Sequence, residues 1–417
     1  MGFGAALRHR GFLALWLGQL VSRLGDSVHE IALLWLVYVA TGDPSLLGGV
    51  VAVSALATAG GSLPAGGLVD ALNRKWVLVG TGLLRGAAVL AIPLVGQGRW
   101  LVPTVLAVAA ITGLLEAVAG PARSALVPSL VPERDLDAAN GLVELTTSVS
   151  RTLYAAGGAV VAAVGAVSAF YLDAASFAVA AALGLAVPSE AGTPDGGTGE
   201  STTLPGDVLE GLRYVRRTPL LWSVLGLSLA TTLTMAPLAV VLPVFVRTTV
   251  GGGSVAFGLL YGAVYAGVAA GALLIGGFDG WIGARRGRVI VTGVAGLGVA
   301  LLGMATLPPL SPAPTLTAAA TLVAFGLAFA FVNAPVRTVV QTAVPDGRRG
   351  RVFAVLGAVT LPALPAGALL AGPLLEAVGP VAVLAGQGVA LLLGSVPLAF
   401  SPLAAAGRSR IDPSPGL

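Results

Sequence analysis

Gly66-Gly67-Leu68-Val69-Asp70-Ala71-Leu72-Asn73-Arg74-Lys75 joins two long apolar runs, 45–69 and 76–97. Each run is long enough to cross a hydrocarbon layer, which takes about 20 apolar residues. The join carries one acid and two adjacent cations. It reads as a tight turn between two spanning helices, with Arg74 and Lys75 anchored at the cytoplasmic lipid surface. Gly66 permits close helix approach, and Asp70 is placed to face a helix N-terminus.

The same alternation fills the chain. Of 417 residues, 56 % are apolar and only 10 % charged. Soluble domains carry about 25 % charged residues, so lipid must solvate most of this surface. Mean hydropathy is +0.92. Spanning helices are expected at 12–39, 45–69, 76–97, 101–125, 138–165, 168–188, 219–246, 255–278, 288–308, 313–336, 350–373 and 380–402. The run from Phe12 to Tyr38 is too long for a signal-peptide core and is read as a retained first helix. Gly42-Asp43-Pro44, Gly96-Gln97-Gly98, Gly251-Gly252-Gly253 and Pro308-Pro309 supply turn chemistry at the breaks. The expected fold is an all-α membrane protein with twelve transmembrane helices. A polar stretch, 189–218, separates an N-terminal six-helix bundle, 1–188, from a C-terminal one with a short tail, 219–417. Its first part, Glu190 to Pro205, reads as a flexible linker.

The placement of cations orients the chain. With an even helix number, eighteen cations fall on the side of the termini, among them Arg8, Arg74, Arg123, Arg213, Arg285, Arg349 and Arg408. Only Arg99 and Arg247 fall on the other. Both termini and the 189–218 segment are therefore expected in the cytoplasm. The net charge of +4 follows this loop pattern and implies no nucleic-acid partner. Lys75 is the only lysine among 23 basic residues, and that arginine bias fits a GC-rich prokaryotic genome and a prokaryotic cell membrane.

The halves repeat one another. Gly120-Pro121-Ala122-Arg123-Ser124-Ala125-Leu126-Val127, then Leu130-Val131-Pro132, matches Ala334-Pro335-Val336-Arg337-Thr338-Val339-Val340-Gln341, then Ala343-Val344-Pro345. Duplicated halves are the mark of a transporter with its site between repeats near the midplane. Chemistry of other kinds lacks its residues. The chain has no Cys, only His9 and His29, and neither an HExxH nor a GxSxG motif. No catalytic residue, cofactor or metal is expected, and an enzyme is disfavoured.

The join at 66–75 resembles the signature loop of the major facilitator superfamily, with Gly66, Asp70, Arg74 and Lys75 at the signature positions. Asn73 stands where that family has Gly, and Asn tolerates a left-handed turn. Gly276-Gly277-Phe278-Asp279-Gly280 through Arg285-Arg286 is similar to a degenerate second copy. Pro121 through Pro132, Leu136-Asp137-Ala138-Ala139-Asn140-Gly141, Phe170-Tyr171-Leu172-Asp173-Ala174-Ala175-Ser176-Phe177 and Arg349-Gly350-Arg351-Val352 resemble the enterobactin-exporter-like and macrolide-efflux-like branch. That resemblance implies proton-driven antiport of a small molecule out of the cell, by alternating access. Asp70 would hold one state of the cycle through contacts in the other half. Two features depart from the pattern. Leu153-Tyr154 stand where exporters carry Gly-Pro, and the fourth helix offers Glu116 in place of an Arg. A proton-coupled importer is the alternative; a channel or a non-transporting membrane protein is a more distant one.

Charges inside spanning segments are costly, about 2.5–3.5 kcal/mol at a helix centre, and so mark function. Arg23, Asp26, Glu30, Arg85, Glu116, Glu144, Arg151 and Asp173 all lie in the first half. Asp26 sits about 21 Å along the first helix, shares a face with Glu30 and lies three residues after Arg23. Asp26, Glu30, Arg23 and Glu116 are the expected proton-coupling cluster, against a plain Arg23–Asp26 salt bridge as the bland reading. Arg85 and Asp173 read as structural or snorkelling, and His29 as a polar partner of its neighbours, with a proton relay as the alternative. Arg123 and Arg337 are gate candidates, or merely obey the cytoplasmic bias. Thr232, Met235, Tyr261, Tyr265, Phe329 and Asn333 in the second half form an expected substrate wall. Pro362 and Pro365 predict a kink. The expected partners are a small-molecule substrate, protons and the bilayer, and the protein is expected to be a monomer.

Overall fold

The computed structural model describes residues 3–96, 98–192 and 205–406. The middle of the expected linker, along with Gln97, Arg408 and Arg410, lies outside the described residues. The described residues are almost entirely helical. The helices are α1 (Phe3–Ala6), α2 (Arg10–Thr41), α3 (Pro44–Ala71), α4 (Arg74–Val95), α5 (Leu101–Leu130), α6 (Leu136–Thr152), α7 (Tyr154–Val164) and α8 (Ala166–Leu185). They continue as α9 (Pro205–Arg217), α10 (Pro219–Phe245), α11 (Ser254–Gly277), α12 (Asp279–Ala284), α13 (Arg286–Thr306), α14 (Pro314–Ala343) and α15 (Asp346–Ala399).

Ten helical stretches among the described residues are long and apolar enough to cross a membrane. The expected span 138–165 is instead two helices, α6 and α7, meeting at Leu153. The expected spans 350–373 and 380–402 run together as α15. Its backbone leaves helical geometry at Gly379, at φ 77°, and stays helical through Pro362 and Pro365. Sequence placed the turns well where a residue's chemistry forces them. Gly42 ends α2 in left-handed geometry, and the Asp43 carboxylate then accepts from the Ser45 and Leu46 amides at 2.8 and 3.3 Å. That cap satisfies two of the orphan N–H groups at the start of α3.

Two compact units result. One comprises 1–200 with 252–262, the other 201–251 with 263–417. In the first, α2 packs on α8, α8 on α4, α4 on α5 and α5 on α3; in the second, α10 and α13 pack on α15, and α13 on α14. Lipid offers no hydrophobic drive for helix pairing, so close backbone approach must supply it. Gly113 of α5 lets the Ser54 carbonyl of α3 come within 2.7 Å of where a Cβ would stand. Gly326 of α14 does the same for the Val264 carbonyl of α11. Each pair is the second and fourth spanning segment of its half. The repeat seen in sequence therefore extends to how the helices cross.

The 189–218 region differs from a plain linker. Residues 205–217 form α9, which lies on α15. Glu210 pairs with Arg351 at 3.1 Å, and Arg348 stands 5.1 Å over the Tyr214 ring. Its apolar residues fall on one face at helical spacing, a pattern masked in the sequence by the charges between them.

Candidate functional site

Helices α2, α4, α5 and α8 bring a polar cluster into the first unit. Arg85, on α4, is its hub. Its Nη2 donates to Asp26 Oδ1 at 3.0 Å and its Nη1 to Glu116 Oε2 at 2.8 Å. Its guanidinium rests 4.4 Å over the Phe177 ring of α8. The Arg85 side chain is 11 % exposed, while Asp26 and Glu116 keep 38 % and 37 %. A planar fork that meets two carboxylates and an aromatic face is a task for Arg rather than Lys. Glu116 also faces Arg123, two turns on along α5, at 3.6 Å.

Behind this hub lies a second pair. His29 Nδ1 stands 2.9 Å from Asp173 Oδ2, at ion-pair distance but off the line of a hydrogen bond. Asp173 is 1 % exposed. The His29 ring meets Phe170 edge-on at 5.3 Å. Gly25 makes the arrangement possible. A Cβ there would collide with Ser176 Oγ and stand 2.7 Å from Asp173 Oδ1. A cavity of about 70 Å³ adjoins the hub, lined by Gln19, Ser22, Thr81, Arg85, Arg123 and Gly184 among others. Gln19 Oε1 is buried without a hydrogen-bond partner, a setting in which an internal water is expected.

Glu30 is separate. Its two carboxylate oxygens accept from Tyr154 Oη at 2.5 Å and Tyr261 Oη at 2.7 Å, and the two rings meet edge-on at 4.8 Å. Tyr261, expected in a substrate wall, here serves a carboxylate.

Of the expected coupling residues, the structure brings Asp26 and Glu116 together and leaves Glu30 elsewhere. The Arg23–Asp26 bridge does not form: Asp26 pairs with Arg85, and Arg23 Nε is buried without a hydrogen-bond partner. The snorkelling reading of Arg85 is also overturned. Arg85 lies about 15 Å from either end of α4, farther than an arginine can reach. That arithmetic was available in the sequence, as was the need of two mid-membrane acids for a cation.

The signature loop departs from expectation in two places. Lys75 is buried rather than spread on the lipid surface, and its Nζ donates to the Leu185 carbonyl at 2.8 Å. It thereby caps the C-terminal end of α8, where a cation is favoured. Asn73 is extended, at φ −64°, not left-handed. Its side chain accepts from the Lys75 amide at 3.1 Å and donates to the Ser189 carbonyl at 3.0 Å. Asn there caps α4 through its side chain, a contact for which Gly has no atoms. Arg74 donates to the Ala125 carbonyl at 3.4 Å. Gly66 and Asp70 are exposed along the last turn of α3. Arg123 is drawn into the Glu116 cluster, whereas Arg337, its repeat partner, is exposed. Thr232, Met235, Tyr265, Phe329 and Asn333 are half-buried; Asn333 donates to the Phe329 carbonyl at 3.1 Å and Thr232 to the Ser228 carbonyl at 2.9 Å.

Comparison with known proteins agrees with this architecture. Residues 15–361 match the Major Facilitator Superfamily pattern. The chain is 30 % identical over 387 residues to the multidrug efflux pump Tap of Mycobacterium tuberculosis (strain ATCC 25618 / H37Rv), covering 89 % of this chain and 88 % of that pump. Tap of Mycolicibacterium fortuitum is 29 % identical over 410 residues, covering 94 % and 96 %. Among solved structures, the nucleoside transporter NupG superposes with TM-score 0.72 at 15 % identity over 93 % of this chain and 98 % of that one. A bacterial homologue of the iron transporter ferroportin, in an inward-facing state, gives 0.70 at 17 % over the same shares. At such identities these two likenesses speak for the fold alone.

Proposed function

The chain belongs to the Major Facilitator Superfamily and is a multi-pass membrane transporter, not an enzyme; from that premise we propose that it exports a small amphipathic or apolar molecule in exchange for protons, by alternating access. The observation that carries the reading is the Arg85 hub. Two carboxylates and a guanidinium inside a membrane bundle are expensive and are kept where an ion must be bound and released. Asp26 is the better proton acceptor of the two. It has one cationic partner where Glu116 has two, and more than a third of its side chain remains open. Protonation of Asp26 removes its charge and weakens its hold on Arg85, which changes what the hub binds together. A proton can shift a conformational equilibrium only through such a difference in interaction between states.

The direction of transport rests on the relatives that are themselves named multidrug efflux pumps. The apolar character of the cargo rests on the second half, whose candidate wall of Thr232, Met235, Tyr265, Phe329 and Asn333 carries no charge. The cytoplasmic side of the termini and of α9 rests on the asymmetry of the cations. In this reading the protein works as a monomer in a prokaryotic cell membrane, with the substrate and protons as its partners.

Asp26→Asn in proteoliposomes tests the reading, with ethidium as a fluorescent probe cation. Gradient-driven accumulation is expected to be lost while exchange of probe across the membrane without a gradient continues. Gradient-driven accumulation at the wild-type rate in this variant would overturn it.

A further inference from the structure

The motif from Phe170 to Phe177 is not used by the hub, yet it brings a carboxylate into the bundle. Asp173 is 1 % exposed, and the imidazole of His29 stands 2.9 Å away. A carboxylate so deep must be protonated or paired, because leaving it bare costs several kcal/mol. Arg85 has both arms committed, to Asp26 and Glu116. Ser176 Oγ reaches Asp173 Oδ1 only at 3.5 Å and brings no charge, which leaves the imidazole of His29 as the contact that can supply a counter-charge, once it carries a second proton. The other charged groups acting on His29 are Asp26, one turn before it on α2, and Arg85 on α4. Glu116 of α5 engages the far arm of Arg85, and Glu30, next to His29 on α2, is held by Tyr154 of α7 and Tyr261 of α11.

Geometry links this pair to the hub. Asp173 Oδ1 occupies the space that a Cβ on Gly25, the chain neighbour of Asp26, would need. Arg85 lies over Phe177, one turn along α8 from Asp173. The guanidinium that serves Asp26 thus lies one helical turn along α8 from Asp173, and its charge acts on both acids.

We propose that His29 and Asp173 form a proton-binding site, and that release of their shared proton transfers Arg85 from Asp26 to Asp173. The site deepens the proton-coupled reading above and rests on it. The step balances. In the loaded state the pair holds one proton beyond the N–H of a neutral imidazole and has no net charge, while Arg85 serves Asp26 and Glu116. When the proton departs to water, His29 is neutral and Asp173 retains one negative charge. Arg85 turns to Asp173, and Asp26 is freed to take a proton of its own from the opposite side. Gly25 is the residue that keeps Asp173 within reach, which a side chain at that position would prevent.

The test uses the full chain in nanodiscs with ¹⁵N-labelled histidine. There are only two histidines, so His9→Gln identifies the His29 signal. Over about pH 5 to 9, His29 is expected to pass between a doubly protonated and a neutral form. In Asp173→Asn the ratio of doubly protonated to neutral His29 at pH 7 should fall at least about tenfold, the effect of one pK unit. Asp173→Glu should restore it. A His29 that remains one neutral tautomer across the whole range in the wild type overturns the proposal, whether or not Asp173→Asn folds. An unchanged His29 titration in a folded Asp173→Asn also overturns it. These outcomes are separable from failure of the transport reading. If Asp26→Asn loses gradient-driven ethidium accumulation while His29 never titrates, the exporter reading stands and the His29–Asp173 site falls.

Discussion

Removing the hub cation should cost more than removing any one acid it serves, and Arg85→Met is the sharpest way to ask. The variant deletes two charge-assisted contacts, at 3.0 and 2.8 Å, and a cation resting on Phe177. Breaking a buried pair by losing one partner costs about 3–5 kcal/mol, chiefly because the orphaned charge remains. Here the lower end applies. Asp26 and Glu116 each keep over a third of their side-chain exposure, and Glu116 still has Arg123 at 3.6 Å. The expectation is a loss of about 3 kcal/mol, more than a hundredfold in the unfolding equilibrium at 1.4 kcal/mol per factor of ten. Combining Arg85→Met with Asp26→Asn and Glu116→Gln removes the orphaned charges and should return stability to within about 1 kcal/mol of wild type. Unfolding in mixed micelles titrated with SDS, followed by tryptophan fluorescence, reads both quantities. A single variant within about 0.5 kcal/mol of wild type, or a triple variant no better than the single, would refute the hub.

Further outcomes follow from the same contacts. Gly25→Ala should destabilise the bundle and abolish transport, because its Cβ collides with Ser176 Oγ; normal thermal retention of the folded peak on size exclusion would contradict the α2–α8 packing. Tyr154→Phe and Tyr261→Phe should each cost about 1.5–3 kcal/mol, the range for a hydrogen bond to a charged acceptor, and each loss should largely vanish in a Glu30→Gln background. Additive losses would show that the tyrosines do not act through Glu30. Since the chain has no native Cys, single-cysteine labelling at Arg216 and Gly253 should report opposite faces of the membrane. Labelling of both from one side would contradict this topology.

The sequence made the helices legible because the bilayer imposes both length and composition, and no other fold tolerates so few charges. Turns were legible where one residue's chemistry forces them, as at Gly42 and Asp43. The break at Leu153 was not, because no Pro or left-handed Gly marks it; it adjoins a region where Gly158 meets the Ser254 carbonyl across helices. The acids of the hub were legible from their cost in lipid. Their cation was not recognised, because partnership across helices depends on rotation about each axis, which a chain of Ala, Val and Leu does not encode at any one residue. Asp26 and Glu30 share a face by spacing yet end in different clusters, since Arg85 takes one and two tyrosines take the other. Lys75 likewise looked like a surface anchor until the end of α8 was placed beside it.

The central claim is proton-driven export, and inverted membrane vesicles test it most directly. With an acid interior generated by respiration, vesicles containing the protein should accumulate ethidium above control vesicles, and an uncoupler should release it. Asp26→Asn vesicles should resemble the control. Accumulation that persists after the proton gradient has collapsed, or uptake only in right-side-out vesicles, would contradict the account.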